Sequence, residues 1–203
     1  MMAKRDSVMS AAMQSSSGSL NVEVDAGEAA WTVLGDLDVE AAVREIAAAI
    51  AGHVRLPAAR ATATLVLASD AEVRALNGKW RDQDKPTNVL SFPSAPMPSK
   101  ALSGPTVPGS QLAQPRFLGD VIIAEETLAR EAGEQGIATA DHFRHLAVHG
   151  LLHLLGYDHE IETEANAMEM LETRILGSIG VRDPYAGTEP IDDPPSPASA
   201  TGR

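Results

Sequence analysis

The sequence predicts an α+β domain, a small mixed β-sheet covered by helices. Two observations carry that expectation. Short runs of alternating or β-branched apolar residues come early, at 20–24, 62–68, 89–92 and 117–123. Apolar residues at helical spacing dominate the later part, from Glu125 to Ile175.

Residues 1–19 are rich in Ser, Met and Ala without periodicity and are expected to be disordered. Leu20, Val22 and Val24 alternate with polar residues, which predicts a half-buried strand ending near Gly27. Asp36 or Asp38 can cap a helix through Val39, Val43, Ile46 and Ile50, closed by Gly52. A β-branched strand follows at 62–68. Ser69 and Glu72 then form a capping-box pattern, opening a short helix to about Asn77. From Gly78 a polar loop leads into the strand at Val89. The stretch 93–116 is rich in Pro, Ser and Gly and reads as a flexible insertion. The strand at 117–123 precedes a helix from about Glu125 to Glu134. Thr139 can cap the next helix, whose apolar stripe is Phe143, Leu146, Ala147, Leu151, Leu154 and Leu155. Asp158 can cap a last helix holding Ile161, Ala165, Met168, Leu171 and Ile175, with Glu160, Glu162, Glu164, Glu169 and Glu172 on its wet face. The domain is thus expected over 20–182, and 183–203 is expected to be a disordered tail.

Composition narrows the partners. The absence of cysteine excludes disulfides and fits a reducing, cytoplasmic compartment. No segment approaches the roughly 20 continuous apolar residues of a membrane span, so no membrane partner is expected. The formal net charge of -12 argues against nucleic acid. Its distribution argues otherwise. Between Arg74 and Arg116, six basic residues face only Asp82 and Asp84, so a locally basic surface remains.

Chemistry concentrates at His149-Gly150-Leu151-Leu152-His153-Leu154-Leu155-Gly156-Tyr157-Asp158-His159. On a helix, His149 and His153 lie one turn apart on one face. Gly156 can end that helix in a left-handed conformation, and the chain can return His159 to the same point. Three imidazoles without a fourth protein ligand suit one catalytic Zn2+ per chain. The spacing matches the H-E-x-x-H-x-x-G-x-x-H metalloproteases, except that Gly150 replaces the glutamate that takes a proton from water. Gly150 is read as leaving room beside the metal. Asp158 can orient an imidazole as well as cap a helix. His145 is one turn before His149, and a surface role is expected for it. His53 reads as a helix C-terminal cation. Trp80 and Tyr157 could stack on a base, with core packing favoured for both.

These segments resemble the YbeY endoribonucleases, rRNA maturation factors. H-G-x-L-H-L-x-G-Y-D-H matches from His149 to His159. An Arg followed by D-K-x-T-[DN]-V-L-S-F-P matches at Arg81 and at Asp84 to Pro93. L-G-D-V matches at Leu118 to Val121. The resemblance implies zinc held by His149, His153 and His159. It implies that Arg81 serves cleavage; His149 is expected to share the catalytic role, and Arg81 and Lys85 are expected to contact the substrate. It further implies action on single-stranded RNA, in 3′ maturation of small-subunit ribosomal RNA and ribosome quality control. Small ribosomal subunit proteins or assembly factors would be its partners. Two other readings remain: a non-catalytic zinc-containing assembly factor, and a zinc peptidase using a carboxylate such as Glu160.

Overall fold

The computed structural model describes residues 18–25, 32–95, 114–159 and 161–186. The expectations for 1–17, for most of the 93–116 insertion and for 187–203 concern residues outside these. Among the described residues are four strands and five α-helices. The strands are β1 (Ser19–Asp25), β2 (Arg60–Ala68), β3 (Val89–Pro93) and β4 (Arg116–Ala124). The helices are α1 (Val39–His53), α2 (Asp70–Arg81), α3 (Glu125–Gln135), α4 (Thr139–Leu154) and α5 (Glu162–Ser178). The sheet runs β1-β2-β4-β3, parallel except for β3, which pairs antiparallel with β4. This is the mixed α+β sheet the sequence predicts. Among the described residues no helix is long and apolar enough to cross a membrane.

Local chemistry sets most boundaries as expected. Asp38 caps α1, its Oδ1 accepting the Ala41 N–H at 2.9 Å. That helix runs past Gly52 to His53, whose Nδ1 lies 2.8 Å from the Ala49 carbonyl. Ser69 and Glu72 close a reciprocal capping box on α2. Two caps fall elsewhere. α4 starts after Ala138 and α5 after Ile161, neither with a side-chain cap, so Thr139 and Asp158 do not serve there. Ile161, expected on the apolar stripe, is exposed.

Side-chain alternation divides β4 between two cores. Val121 and Ile123 join β1, β2, α1, α4 and α5 in the main core; Ile122 and Ala124 join Val73 of α2 and Leu90 of β3 in a smaller one. Gly119 lets β3 and β4 close together. Its φ is +136°, and a Cβ there would lie 2.1 Å from the Phe92 carbonyl oxygen.

One buried histidine joins α4 to α3. The His142 Nε2 lies 3.0 Å from Glu131 Oε2, which also accepts Asn88 Nδ2 at 2.9 Å. Its Nδ1 is buried with no hydrogen-bond partner, so a protonated ring would bury an unsatisfied N–H. Burial pushes the His142 pKa down, against an upward pull from Glu131. The unfolded chain therefore binds the proton first. The stabilisation from neutral His142 is complete above its unfolded pKa of about 6.5 and is lost as pH falls below it. Urea midpoints measured at pH 8 and pH 5.5 should fall more in the wild-type protein than in His142→Gln.

Candidate metal centre and cleft

α4 ends in a Schellman turn. The Tyr157 N–H donates to Leu152 O at 3.1 Å, and Gly156 N–H to His153 O at 3.0 Å. Gly156 takes the left-handed position at φ +88°. Tyr157 packs half-buried against the core that holds Leu152, which pins the turn. The chain thus doubles back and returns His159 to the α4 histidines. One ligand nitrogen from each of His149, His153 and His159 lies within 4.8 Å of the others.

The hydrogen bonds around these rings define what they can hold. His149 Nδ1 lies 2.7 Å from Glu172 Oε1, and His153 Nδ1 lies 3.0 Å from the Tyr157 carbonyl oxygen. A carboxylate and a carbonyl only accept, so both Nδ1 atoms carry the proton. In the neutral rings both Nε2 atoms are then lone pairs, yet they stand 3.0 Å apart. Two lone pairs facing at that distance repel, and a cation between them removes the repulsion. His153 suits this role, because burial and then its histidine neighbours push its pKa down to about 4. The donor set therefore fits a metal ion that accepts imidazole nitrogen.

Glu172 supplies the support that sequence reasoning missed. Its residue type predicts the wet face of α5, but it is fully buried. Burial alone would raise its pKa. Hydrogen bonds from His145, His149 and Tyr185 oppose this and hold the carboxyl at about 2. A carboxylate behind a ligating histidine fixes its tautomer and raises its basicity. The spacing held the signal: Glu172 is four residues after Met168 and three before Ile175, on the buried stripe. His145, expected at the surface, lies 3.5 Å from Glu172 Oε2.

Arg81 is the last residue of α2 and not part of a loop, because the helix continues through Gly78 to a left-handed Asp82 at φ 57°. Asn77 secures the segment beyond, its Nδ2 donating to the Lys85 carbonyl at 2.8 Å. Arg81 lines an open cleft of about 670 Å³ with Ser91, Asp158 and the three histidines. Lys85 lines an adjoining depression with Arg81, outside the histidine cleft. Asp158 accepts the His159 backbone N–H at 2.8 Å, while His149 and His153 donate their Nδ1–H groups to Glu172 and the Tyr157 carbonyl. Part of the basic excess is internally compensated, since Arg74 binds both oxygens of Asp84 at 2.7 and 2.8 Å. Trp80, expected in the core, is 63% exposed, with its ring 6.4 Å from Phe92 and the Lys79 ammonium 5.0 Å from its centre.

Gly150 has a different role from the one its position suggests. A Cβ there would lie 2.5 Å from Val121 Cγ1 and 3.3 Å from Ser91 Oγ. The space is filled by the sheet. The missing side chain lets α4 approach β3 and β4, and Ser91 Oγ donates to the Gly150 carbonyl at 3.1 Å.

Fold and site together define a class: an α+β domain presenting three convergent imidazoles, able to hold one metal ion, in a cleft shared with an arginine. The family model described as Endoribonuclease YbeY matches residues 28–180, and the chain belongs to that family. It is 48% identical over 166 residues to Endoribonuclease YbeY of Paramagnetospirillum magneticum, covering 82% of this chain and 96% of that one. It is 49% identical over 159 residues to Endoribonuclease YbeY of Rhodopseudomonas palustris, covering 76% and 85%. The solution structure of TM1509 from Thermotoga maritima aligns at a TM-score of 0.48 and 19% identity, over 85% of this chain and 99% of that one.

Proposed function

We propose that this protein is a zinc-dependent endoribonuclease that cuts single-stranded RNA in the 3′-end maturation of small-subunit ribosomal RNA. On this reading it acts in the cytoplasm and in ribosome quality control, guided by small-subunit proteins or assembly factors. The observation that carries the reading is the cleft in which three histidines and Arg81 stand together in a chain of the YbeY family.

Zinc held by His149, His153 and His159 supplies Lewis acidity towards a phosphoryl oxygen and lowers the pKa of water. The chain's own residues supply the rest. Glu172 and the Tyr157 carbonyl aim the His149 and His153 lone pairs into the cleft. Asp158 holds the backbone of the third ligand. The Arg81 guanidinium can give two parallel hydrogen bonds to a phosphodiester as negative charge gathers on its non-bridging oxygens. Lys85, beside Arg81, can take a neighbouring phosphate as a point charge. A peptidase would need a carboxylate base beside the metal. Glu160, the base that reading names, lies outside the described residues. Glu172 is buried with one oxygen engaged by His149, and Asp158, which lines the cleft, accepts the His159 backbone N–H.

Arg81→Ala should retain stoichiometric zinc and the wild-type circular dichroism spectrum. Its RNA cleavage rate should fall by about 10²–10³-fold, the usual effect of removing one transition-state donor. Undiminished cleavage would remove Arg81 from the mechanism. Metal-loaded protein should cut single-stranded RNA and leave an unfolded protein intact. Cutting of the unfolded protein instead would favour the peptidase, and inertness towards both would favour the assembly factor.

A further inference from the structure

Residues 181–186 lie beyond the family match, and 183–186 fall inside the stretch the sequence reads as tail. The chain leaves α5 through a turn in which the Val181 N–H donates to Leu176 O at 3.0 Å, and Val181 is buried. Asp183 then anchors the segment. Its Oδ1 accepts Thr173 Oγ1 of α5 at 3.1 Å and the Tyr185 N–H at 2.9 Å, and its carbonyl accepts the Ala186 N–H. These bonds present the Tyr185 side chain to the buried stripe of α5. There its hydroxyl donates to Glu172 Oε2, and its ring meets His145 edge-on at 5.7 Å between centres.

The two oxygens of Glu172 are thus divided. Oε1 takes the Nδ1 proton of His149, and Oε2 takes the hydroxyl of Tyr185, with His145 at 3.5 Å. A carboxylate with no solvent exposure keeps its orientation only while protein donors satisfy both oxygens. Without the Tyr185 hydroxyl, Oε2 has only the longer contact to His145. The carboxylate is then free to turn about its Cγ–Cδ bond, and with it goes the constraint on the His149 ring. Asp183, Tyr185, Glu172 and His149 therefore form one chain of hydrogen bonds, running from the segment after α5 to the cleft.

We propose that Tyr185, held in place by Asp183, is a positioning residue for the metal centre, clamping Glu172 so that His149 presents its Nε2 to the ion. The inference rests on the metal reading above, and it makes residues 181–186 part of the functional unit. Asp183 and Tyr185 would then bear on metal affinity although neither lines the histidine cleft.

The test is zinc affinity of the full-length chain, measured by competition with a chromogenic chelator, beside thermal melting of the metal-free protein. Tyr185→Phe keeps the ring and removes only the hydroxyl. It should weaken zinc binding by about 10–100-fold, the usual effect of losing a group that orients a ligand, and should lower metal-free melting only modestly, because Oε2 keeps its His145 contact. Asp183→Ala should weaken zinc binding in the same direction. In Tyr185→Phe, the ring ¹⁵N shifts of His149 should show the Nδ1–H form giving way to a mixture of tautomers. Wild-type zinc affinity and unchanged His149 shifts in Tyr185→Phe would overturn the proposal, as would a loss confined to metal-free stability. A wild-type protein that binds no zinc would overturn the metal reading itself, a result distinct from equal affinities.

Discussion

His153→Ala is expected to emerge from purification without stoichiometric zinc and without RNA cleavage. Three protein ligands with an open position form the smallest common catalytic zinc site. Removing the central one leaves His149 on α4 and the exposed His159 on the returning turn. His153 is also the residue most burdened when no metal is present. Its pKa is pushed down to about 4, first by burial and then by the neighbouring histidines. The sign follows directly: the unfolded chain binds the proton at about pH 6.5, so the contribution of neutral His153 is present above that pH. It is lost as pH falls from 6.5 towards 4. Metal-free wild type should therefore lose stability over that window, and metal-free His153→Ala should lose less. The substitution removes function while relieving acid sensitivity, as expected of a cluster shaped for a cation. Full zinc occupancy in the variant, measured by elemental analysis, would show that the triad is not the site.

What could be read from the sequence follows from how local each signal is. The Asp38 cap, the Ser69–Glu72 box and the left-handed Gly156 are settled within a few residues, and all three appear as expected. The histidine cluster is likewise one turn of helix and one reversal of chain. Gly78 looks like a stop signal, which predicts Arg81 in a loop, yet the helix runs on to Arg81. The actual stop is Asp82 in the left-handed region, anchored by N–H groups that donate back to Asn77. Trp80 looks like a core residue by type, but it lies at the helix end where the chain turns away from the small core. Glu172 is charged, which predicts exposure, but its position on the helix predicts burial. A carboxylate on a buried stripe is costly unless something pairs with it, and its partners, His145, His149 and Tyr185, lie 13 to 27 residues away in the chain. The support of the histidine cluster is thus non-local, while the three histidines themselves are nearly local.

Gly150→Glu, the substitution that would complete the metalloprotease motif, is expected to abolish stable folding and to yield no peptidase. The Cβ direction at Gly150 points into the sheet, 2.5 Å from Val121 Cγ1 and 3.2 Å from Cγ2. Gly150 and Val121 are buried, and Val121 belongs to the main core, so the carboxylate would enter a packed region with no cationic partner supplied. The milder Gly150→Ala isolates the packing part. Helix propensity alone would favour Ala over Gly by about 1 kcal/mol, whereas overpacking a filled core costs about 1–3 kcal/mol and sometimes more. With a contact this short against a β-branched side chain on a central strand, overpacking should win. Its net destabilisation is expected to be about 1–2 kcal/mol by urea titration. Val121→Ala should compensate, so that the double variant is more stable than the sum of the two single changes predicts. Gly150→Ala also displaces α4, and α4 carries two of the three proposed ligands. RNA cleavage should therefore fall further than the loss of folded protein accounts for. A Gly150→Ala protein as stable as the wild type would mean that α4 can shift without cost, and the close approach would then not explain the glycine.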